Sequence, residues 1–508
     1  MEWSRMNKQI SRLILFLIIL LFFAVSNDYQ GFASKNSTNI TIFVDDDGNA
    51  DFRSIQDAVD AANPQDIIYV YPGTYHESIV IDKSNITIMG EHEKHTIIKG
   101  NINQNVIEIT SESNNISLSH FTIEVNPIIE TGLMASAINN FGNYVIIENN
   151  IITQKNFKQY SNGIMIVEAN NNIIHQNSIT NLLKGIFSIS SGYNKITDNN
   201  ISYCTTAIVD IESNAQEIYH NEINENGMGI EFIYSKLSTI SYNTISSNDN
   251  SIYIHGNDNS VHHNIIYGNE RDGVVIINSY NNTISDNKIS SNDNGIMIRS
   301  CEHLIIANNH ISSNGNDGIC LHDSSLSLID TCLISANFRN GITIENDNFV
   351  NIESKNISII NCEIKDHTEN GILFEGKNKG KIHNNIIKKC NILKNFRGIK
   401  LIGNVKTCEF INNNLKENYW GIKLSESEQN LIDKCLFEKN YCGIMRGKNN
   451  IIRNNDFIEN KICHVLGEIG FVNHWIRNYW SGHHSFFPCF LYIGNFDWFP
   501  KPIPHRGI

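Results

Sequence analysis

Short apolar runs alternate with polar residues along most of the chain, and asparagine, glycine or serine ends each run. Such runs, with a period of two residues, are typical of β-strands. The dipeptide Gly-Ile, or a close variant, marks one position of successive units from residue 163 to residue 443. The first six steps between these dipeptides are 22 residues long, and the later steps span 22 to 30 residues. A repeat this short and regular predicts a solenoid.

Each unit holds two or three short strands, which predicts an all-β fold, a right-handed parallel β-helix with three strands and about 22 residues per coil. Coils of such a helix stack about 4.8 Å apart and form apolar columns inside. We expect one β-helical domain over residues 41–470, with an N-terminal cap over residues 41–66. An aromatic-rich C-terminal cap or tail is expected over residues 471–508.

One segment near the start of this domain has the pattern of a helix. Its apolar face recurs at helical spacing and consists of Ile55, Ala58, Val59 and Ala62. Ser54 and Asp57 stand at the spacing of a capping box. An open solenoid end would expose core residues and strand edges. We therefore predict that this short helix caps the first coil.

Asparagine recurs at one register of the repeat, always three residues after an apolar position. This column consists of Asn177, Asn199, Asn221, Asn243, Asn264, Asn287 and Asn309. Stacked amides can hydrogen-bond from coil to coil. Asparagine also tolerates the left-handed backbone that a one-residue corner needs. We expect these residues to form a structural ladder and to lie at the corners themselves.

Candidate chemistry lies on the outward side of the Gly-Ile strand. In the early coils the outward positions are largely apolar, whereas the later coils place charged residues there. We call Arg299, His322, Glu345 and Glu375 the charged row, because they occupy one register in successive coils. Asp323 lies beside this row, and Lys400 follows it. All six are candidates for carbohydrate binding.

Two of these residues are candidates for catalysis. Glu345 and Glu375 are one coil apart, which places their carboxyl groups about 5 Å apart, the separation used by retaining glycosidases. In an enzyme they would form an acid/base pair, with Arg299 and His322 lining the groove and Lys400 closing its far end. The alternative is an exposed charged ladder that discourages lateral association between solenoids.

The segments before the repeats resemble the opening of the pectin-lyase-like superfamily. The motifs are Val44-Asp-Asp-Asp-Gly, Phe52-x-x-Ile55-Gln-Asp-Ala58, Tyr69-Val-Tyr-Pro-Gly-Thr-Tyr75-x-Glu77 and Ile86-Thr-Ile-Met-Gly-Glu91. They are most similar to NosD-like parallel β-helix proteins, which are common on archaeal and bacterial cell surfaces. The resemblance implies this fold, with substrates lying across the strands on its outer face. The Gln-Asp-Thr-Leu signature of pectin methylesterases and the Asn-Thr-Asp signature of polygalacturonases are missing from the sequence.

The N-terminus has the pattern of an export signal. Arg5, Lys8 and Arg12 precede an apolar run over residues 13–25, followed by small residues at cleavage spacing. We predict a signal peptide over residues 1–26 and a polar linker over residues 27–40, with an uncleaved membrane anchor as the alternative. Export to the periplasm, cell surface or medium follows, and we expect the membrane to be contacted only through this segment.

Net charge and cysteine content limit the classes of ligand that we expect the protein to bind. The formal net charge is −14, and no basic stripe with interleaved aromatic residues exists, so we do not expect nucleic-acid binding. Eleven cysteines occur without a CxxC or paired metal-ligand motif. Most are therefore interpreted as buried thiols, with one or two disulfides that the spacing cannot pair. We expect no cofactor and no metal site.

Three functions follow from these observations. The first is an exported, non-catalytic solenoid that binds a polysaccharide or surface glycan, or has a structural or interaction role. The second is a polysaccharide hydrolase or lyase that uses the charged row. The third comes from the resemblance alone: NosD proteins assist copper-site maturation, which would need methionine, histidine or cysteine clusters on one face.

Overall fold

A computed structural model describes most of the chain after the N-terminal segment. The described residues are 40–48, 50–126, 135–154, 161–347, 353–377, 380–445, 447–466, 473–482, 489–492, 495–497, 499–501 and 503–505. The predicted signal peptide lies outside them, as does the predicted linker apart from its last residue. Within the described part of the chain, no helix is both long and apolar enough to span a membrane.

The fold consists of short parallel strands that stack from coil to coil into three long sheets. Ile164 pairs with Ile186, and Ile186 pairs with Ile208, so successive coils are in register at a spacing of 22 residues. The predicted all-β parallel β-helix, with three strands per coil, is confirmed. We name the three sheets A, B and C, and sheet C contains the Gly-Ile strands. After its Gly-Ile strand, a regular coil passes through sheet A and then sheet B before the chain enters sheet C of the next coil.

Sheet A has 21 strands. They are Thr41–Val44, Ile67–Val70, Thr87–Gly90, Ser117–Ser119, Ile146–Glu148, Ile173–His175, Lys195–Thr197, Glu217–Tyr219, Thr239–Ser241, Ser260–His262, Thr283–Ser285, Ile305–Ala307, Leu328–Asp330, Ser358–Ile360, Ile386–Lys388, Glu409–Ile411, Leu431–Asp433, Ile451–Arg453, His474–Ile476, Cys489–Tyr492 and Asn495–Asp497. The strand Cys489–Tyr492 pairs antiparallel with Asn495–Asp497, and the other pairings in this sheet are parallel.

Sheet B has 18 strands. They are Gly73–His76, Thr96–Lys99, Thr122–Val125, Ile151–Gln154, Ser178–Thr180, Asn200–Ser202, Glu222–Asn224, Thr244–Ser246, Ile265–Tyr267, Lys288–Ser290, His310–Ser312, Leu333–Ser335, Glu363–Lys365, Asn391–Leu393, Asn414–Lys416, Leu436–Glu438, Asp456–Ile458 and Tyr479–Trp480.

Sheet C has 17 strands and contains the Gly-Ile positions. They are Ile79–Ile81, Ile107–Ile109, Ser136–Asn140, Asn162–Val167, Lys184–Ile189, Thr206–Ile211, Met228–Ile233, Asn250–His255, Val274–Ile277, Ile296–Arg299, Ile319–His322, Asn340–Asn346, Asn370–Gly376, Arg397–Gly403, Trp420–Ser425, Cys442–Met445 and Cys463–Leu466. A small fourth sheet consists of Ser354–Lys355, Ile382–His383 and Val405–Lys406.

The glycine of the Gly-Ile dipeptide has a steric explanation. A Cβ atom at Gly318 would lie 2.6 Å from the carbonyl oxygen of Gly341 and 2.6 Å from Cγ2 of Ile334. Real Cβ atoms do not approach a backbone oxygen so closely, so a larger residue would push neighbouring coils apart. The isoleucine that follows each glycine points inward and is buried, as at Ile319 and Ile342.

The seven predicted ladder asparagines lie in one buried column between sheets A and B. Asn221 is typical: its Nδ2 donates to Asn243 Oδ1 at 3.0 Å, to the Ile196 carbonyl at 2.8 Å and to the Tyr219 carbonyl at 3.0 Å. Its own Oδ1 accepts a hydrogen bond from Nδ2 of Asn199 in the preceding coil. The column therefore satisfies backbone groups at each turn as well as linking the coils.

The left-handed backbone expected at these asparagines belongs to their predecessors, so that part of the prediction is wrong. His220, Tyr242 and His263 have φ values of 56°, 55° and 56°, and the asparagine follows each of them. The predecessor makes the corner and points outward. The asparagine then turns its amide inward, where the carbonyl groups exposed by the corner need donors.

A single short helix, Ile55–Ala61, occurs among the described residues. The hydroxyl of Ser54 accepts from the N–H of Asp57 at 3.3 Å, as the capping-box spacing predicts. The carboxylate of Glu77 accepts from the first two helical N–H groups at 2.9 and 3.0 Å. This second capping interaction comes from a distant strand. That the helix closes the first coil stays a prediction.

At the other end, coil stacking continues beyond residue 470. The strand His474–Ile476 pairs in parallel with Ile451–Arg453. Trp480 is buried and stacks on Phe457, with ring centroids 4.3 Å apart. Its Nε1 donates to the carboxylate of Asp497 at 3.1 Å. These aromatic side chains therefore fill the interior of the last coils.

Candidate functional site

The charged row lies on the outward side of four consecutive strands of sheet C. Arg299 pairs with His322, His322 with Glu345, and Glu345 with Glu375. Because their inward neighbours are buried, as Ile344 and Phe374 are, strand alternation points these four side chains outward. The structure thus brings the four residues together in the order that the repeat spacing predicts.

Lys400 does not continue this row. The partner of Glu375 in the next coil is Ile402, and Lys400 pairs instead with Leu373. Lys400 therefore lies in the neighbouring outward column, two residues earlier along its strand. Burial lowers the pKa of Lys400, and the charge of Glu375 opposes that shift. Lys400 borders the row at its side, and the position expected to close the far end is apolar.

His322 is the centre of the row. Its Nε2 lies 3.3 Å from Oε2 of Glu345, and its Nδ1 lies 3.5 Å from Oδ2 of Asp323. The carboxylate of Asp347 is also near, with Oδ2 4.0 Å from Nδ1. The hydrogen bond with Glu345 raises the pKa of His322 above its ordinary value, and burial opposes this shift.

Lys377 lies between the two glutamates. Its ammonium contacts the carboxylate of Glu345 and lies 3.4 Å from Oε2 of Glu375. The hydrogen bond from His322 and then that from Lys377 lower the pKa of Glu345 to about 2. Glu345 is therefore ionised throughout the physiological pH range. The ammonium of Lys377 lies between its carboxylate and that of Glu375.

This geometry limits the chemistry of the pair. A glycosidase needs one protonated carboxyl group that donates to the leaving oxygen. Glu345 cannot fill that role, and the ammonium of Lys377 occupies the gap where a sugar carbon would have to sit between the two groups. In this arrangement Glu345 can act only as a base, a nucleophile or a hydrogen-bond acceptor.

Next to the row, outward positions of sheet C are recessed. Thr343 and Asp317 are 3% and 4% exposed although both lie on the outer side of the coil. The hydroxyl of Thr343 donates to Oδ2 of Asp317 at 2.6 Å, and Nδ2 of Asn340 donates to Oδ1 at 2.9 Å. Burial raises the pKa of Asp317, and these hydrogen bonds oppose the shift. A polar floor thus lies beside the charged row.

One group of side chains at the row has the donors of a metal site. Ligand atoms of His322, Asp323 and Asp347 lie within 4.8 Å of one another, and no other such group of three occurs among the described residues. An imidazole with two carboxylates suits a divalent ion such as Zn²⁺ or Cu²⁺. Burial and the neighbouring Asp347 carboxylate raise the pKa of Asp323. A cation would relieve this repulsion.

Three family models match parts of the chain. One described as a right-handed β-helix region matches residues 229–358, and one described as the periplasmic copper-binding protein NosD matches residues 339–484. Residues 229–484 thus resemble NosD-like β-helix repeat proteins. The prediction of that resemblance, including the right-handed solenoid, is confirmed. A third model, for pectinesterase, matches residues 41–126.

Individual relatives of this NosD-like protein cover less of it. The probable pectinesterase/pectinesterase inhibitor 6 of Arabidopsis thaliana is 38% identical over 78 residues, which is 14% of this chain and 14% of the relative. A crystal structure of the periplasmic alginate epimerase AlgG is 15% identical, with a TM-score of 0.43 over 66% of this chain and 82% of its own. The crystal structure of the lacto-N-biosidase of Eubacterium ramulus is 12% identical, with a TM-score of 0.43 over 54% of this chain and 64% of the lacto-N-biosidase chain.

The charged row lies within two of the three matches, and the right-handed β-helix match includes Arg299, His322 and Glu345. The pectinesterase match ends at residue 126, well before the charged row. The NosD match begins at residue 339 and includes Glu345, Asp347, Glu375 and Lys377, whereas His322 lies before it. The matched families therefore account for the solenoid around the site, and the arrangement of charges must be argued from this chain.

Three residues of the candidate site were not predicted from the sequence. Asp347 and Lys377 stand two residues after Glu345 and Glu375, so continuing the same outward alternation would have identified both. Asp317 precedes the glycine of its repeat, at a register where other coils carry asparagine or aspartate. This polar register was a second available signal.

Proposed function

We propose that this NosD-like protein is an exported, non-catalytic solenoid that binds a polysaccharide or surface glycan on the outward face of sheet C. The observation that carries the proposal is the ammonium of Lys377 between Glu345 and Glu375. Paired charges of this kind offer directional donors and acceptors to sugar hydroxyls. Glu345, whose pKa is lowered to about 2 by His322 and Lys377, has no proton to donate to a leaving oxygen.

The surroundings of the row support binding. The row places the basic side chains of Arg299 and His322 in the two coils before Glu345 and Glu375, and the ammonium of Lys377 contacts both carboxylates. Asp317 and Thr343 provide a recessed polar floor beside it. An extended polymer could run across several coils and contact each in turn. The periplasmic description of the NosD model supports export.

A glycan array probed with the purified protein tests the proposal. We expect binding to one class of polysaccharide, and titration of that ligand should show about a tenfold loss of affinity in the double variant Glu345→Gln, Glu375→Gln. The matched control is Glu217→Gln, an exposed carboxylate of sheet A that pairs with Lys195 at 3.2 Å. Binding unchanged in the double variant, or absent from the wild type, would contradict the proposal.

The polysaccharide hydrolase or lyase is the catalytic alternative for the same face. The pectinesterase match and the Arabidopsis relative are polysaccharide-acting by name, which supports a carbohydrate ligand. Glu345 would then be the base or nucleophile, and the acid would have to be another group. Turnover of the bound glycan by the wild type separates this alternative from binding alone.

A second function, metal handling, is favoured by the group formed by His322, Asp323 and Asp347. The NosD model is described as copper-binding, and the predicted alternative was an accessory role in copper-site maturation. Titration with Cu²⁺ and Zn²⁺, followed by equilibrium dialysis, should show one bound ion that His322→Gln removes. Equal binding by wild type and variant would place the metal elsewhere.

A further inference from the structure

Two cysteines face each other near the end of the array. Cys442 and Cys463 are register partners on the last two strands of sheet C. Their sulfur atoms are 2.7 Å apart. This separation is only about 0.7 Å longer than a disulfide bond, and parallel partners in adjacent coils have the Cα spacing of about 5 Å that a disulfide accepts.

The other stacked thiols differ from this pair. Cys332, Cys362 and Cys390 occupy the asparagine column in successive coils and are almost fully buried. Their sulfur atoms donate to carbonyl groups of their own strands at 3.4, 3.3 and 3.5 Å. They behave as small ladder residues. Cys463 is partly exposed, so an oxidant can reach it.

We propose that Cys442 and Cys463 form a disulfide bond when the chain meets a thiol oxidant that itself carries a disulfide. Cys463, as the accessible thiolate, attacks one sulfur of the oxidant and releases the other as a thiol. Cys442 then loses its proton to water and attacks Sγ of Cys463, releasing the second thiol. Two thiol protons and two electrons leave the pair, and the oxidant is reduced to two thiols.

The electrostatics of the pair agree with this order. The hydrogen bond between the two thiols lowers the pKa of Cys463, while the same hydrogen bond and then burial raise the pKa of Cys442. The more acidic thiol is thus the exposed one, as the first attack requires. The bond would join two adjacent coils close to the C-terminal end of the described array.

Peptide mapping of the full chain tests the bond directly. The reduced protein is incubated with oxidised glutathione, denatured, alkylated and digested without reductant. We expect one cross-linked peptide pair containing Cys442 and Cys463, lighter by two hydrogens than the separate peptides, while Cys332, Cys362 and Cys390 are fully alkylated. Complete alkylation of Cys442 and Cys463, or glutathione left on Cys463 without cross-linking, would overturn the proposal.

Stability provides the second readout. The unfolding midpoint of the oxidised wild type should fall by about 5 °C on addition of dithiothreitol. Cys463→Ser should show no response to the reductant, whereas the matched variant Cys362→Ser should keep it. Hydrogen exchange should accelerate on reduction in strands near residues 442–466 and stay unchanged near residues 184–211. A reductant response that persists in Cys463→Ser would assign the effect to another cysteine.

Discussion

The early and late coils of the solenoid share one backbone and one interior, yet their outward faces differ. At a single register of sheet C, the early coils carry Ile189, Ile211 and Ile233, and the late coils carry His322, Glu345 and Glu375. The inward positions hold buried isoleucine, leucine or phenylalanine in nearly every coil of both regions. Stacking therefore constrains the interior, while the exterior is free to differ from coil to coil.

This difference identifies which positions bear on function. A late-coil carboxylate such as Glu345 lies outside the buried columns, and its contacts are with His322 and Lys377, outward side chains of the two neighbouring coils. The described early coils carry Ile189, Ile211 and Ile233 at this register, and these apolar side chains form no charge pairs. Function is therefore expected to depend on the late coils, and stability on the interior columns of both regions.

The largest expected effect is on the early interior. Asn221→Leu removes the donors to the carbonyl groups of Ile196 and Tyr219 and the acceptor used by Asn199. Leaving buried backbone groups without partners should lower the free energy of unfolding by about 3 kcal/mol. Chemical denaturation measures it, with the exposed Asn200→Leu as the matched control, for which we expect a change below about 0.5 kcal/mol. Equal stability of Asn221→Leu and the wild type would show that the ladder contributes no stability.

Much of this architecture was predictable because coil geometry is periodic. The spacing of the Gly-Ile dipeptides, 23 residues in these coils, identifies the register of Arg299, His322 and Glu345, since each coil returns the chain to the same position. Prediction failed where the period is interrupted. Asp347 and Lys377 follow the ends of their strands beside the longer connections; alternation indicates that they point outward, but the coil spacing does not indicate which side chains they meet.

The corner residues show a second limit. The left-handed conformation lies at His220 and the amide that satisfies the corner at Asn221, although residue preference alone favours asparagine for both roles. The contact between Cys442 and Cys463 is a similar case, because eleven cysteines allow many pairings and the 2.7 Å separation of these two sulfur atoms depends on the stacked coils. Local preference predicts the residue type, whereas the contacts depend on the assembled coil.

A smaller effect is expected at Asp210, a polar exception in the early interior. Its register partners Ser188 and Phe232 are buried like itself, and burial raises its pKa to about 6, while the hydroxyls of Ser188, Ser213 and Ser235 oppose the shift. The pKa of Asp210 in the folded protein exceeds the ordinary carboxyl value, so folding favours the protonated side chain. The stability contributed by Asp210 is therefore complete below about pH 4 and is lost as the pH rises through 6. Asp210→Asn should therefore gain about 2 kcal/mol over the wild type at pH 7.5 and little at pH 4.

Unfolding of both proteins at the two pH values measures this difference. Taking the difference between wild type and variant removes the contribution of the other titrating groups. A gap that is the same at both pH values would show that Asp210 keeps an ordinary pKa in the folded protein.

Incubation of the wild type with its bound glycan, followed by mass spectrometry of the glycan, tests the central claim most directly. We expect the late-coil face to bind the glycan without cleaving it, because the ammonium of Lys377 lies between the carboxylates of Glu345 and Glu375. The glycan mass should therefore stay unchanged, both with the wild type and with Glu345→Gln, Glu375→Gln. Cleavage products formed by the wild type and absent with the double variant would contradict it and assign the row to catalysis.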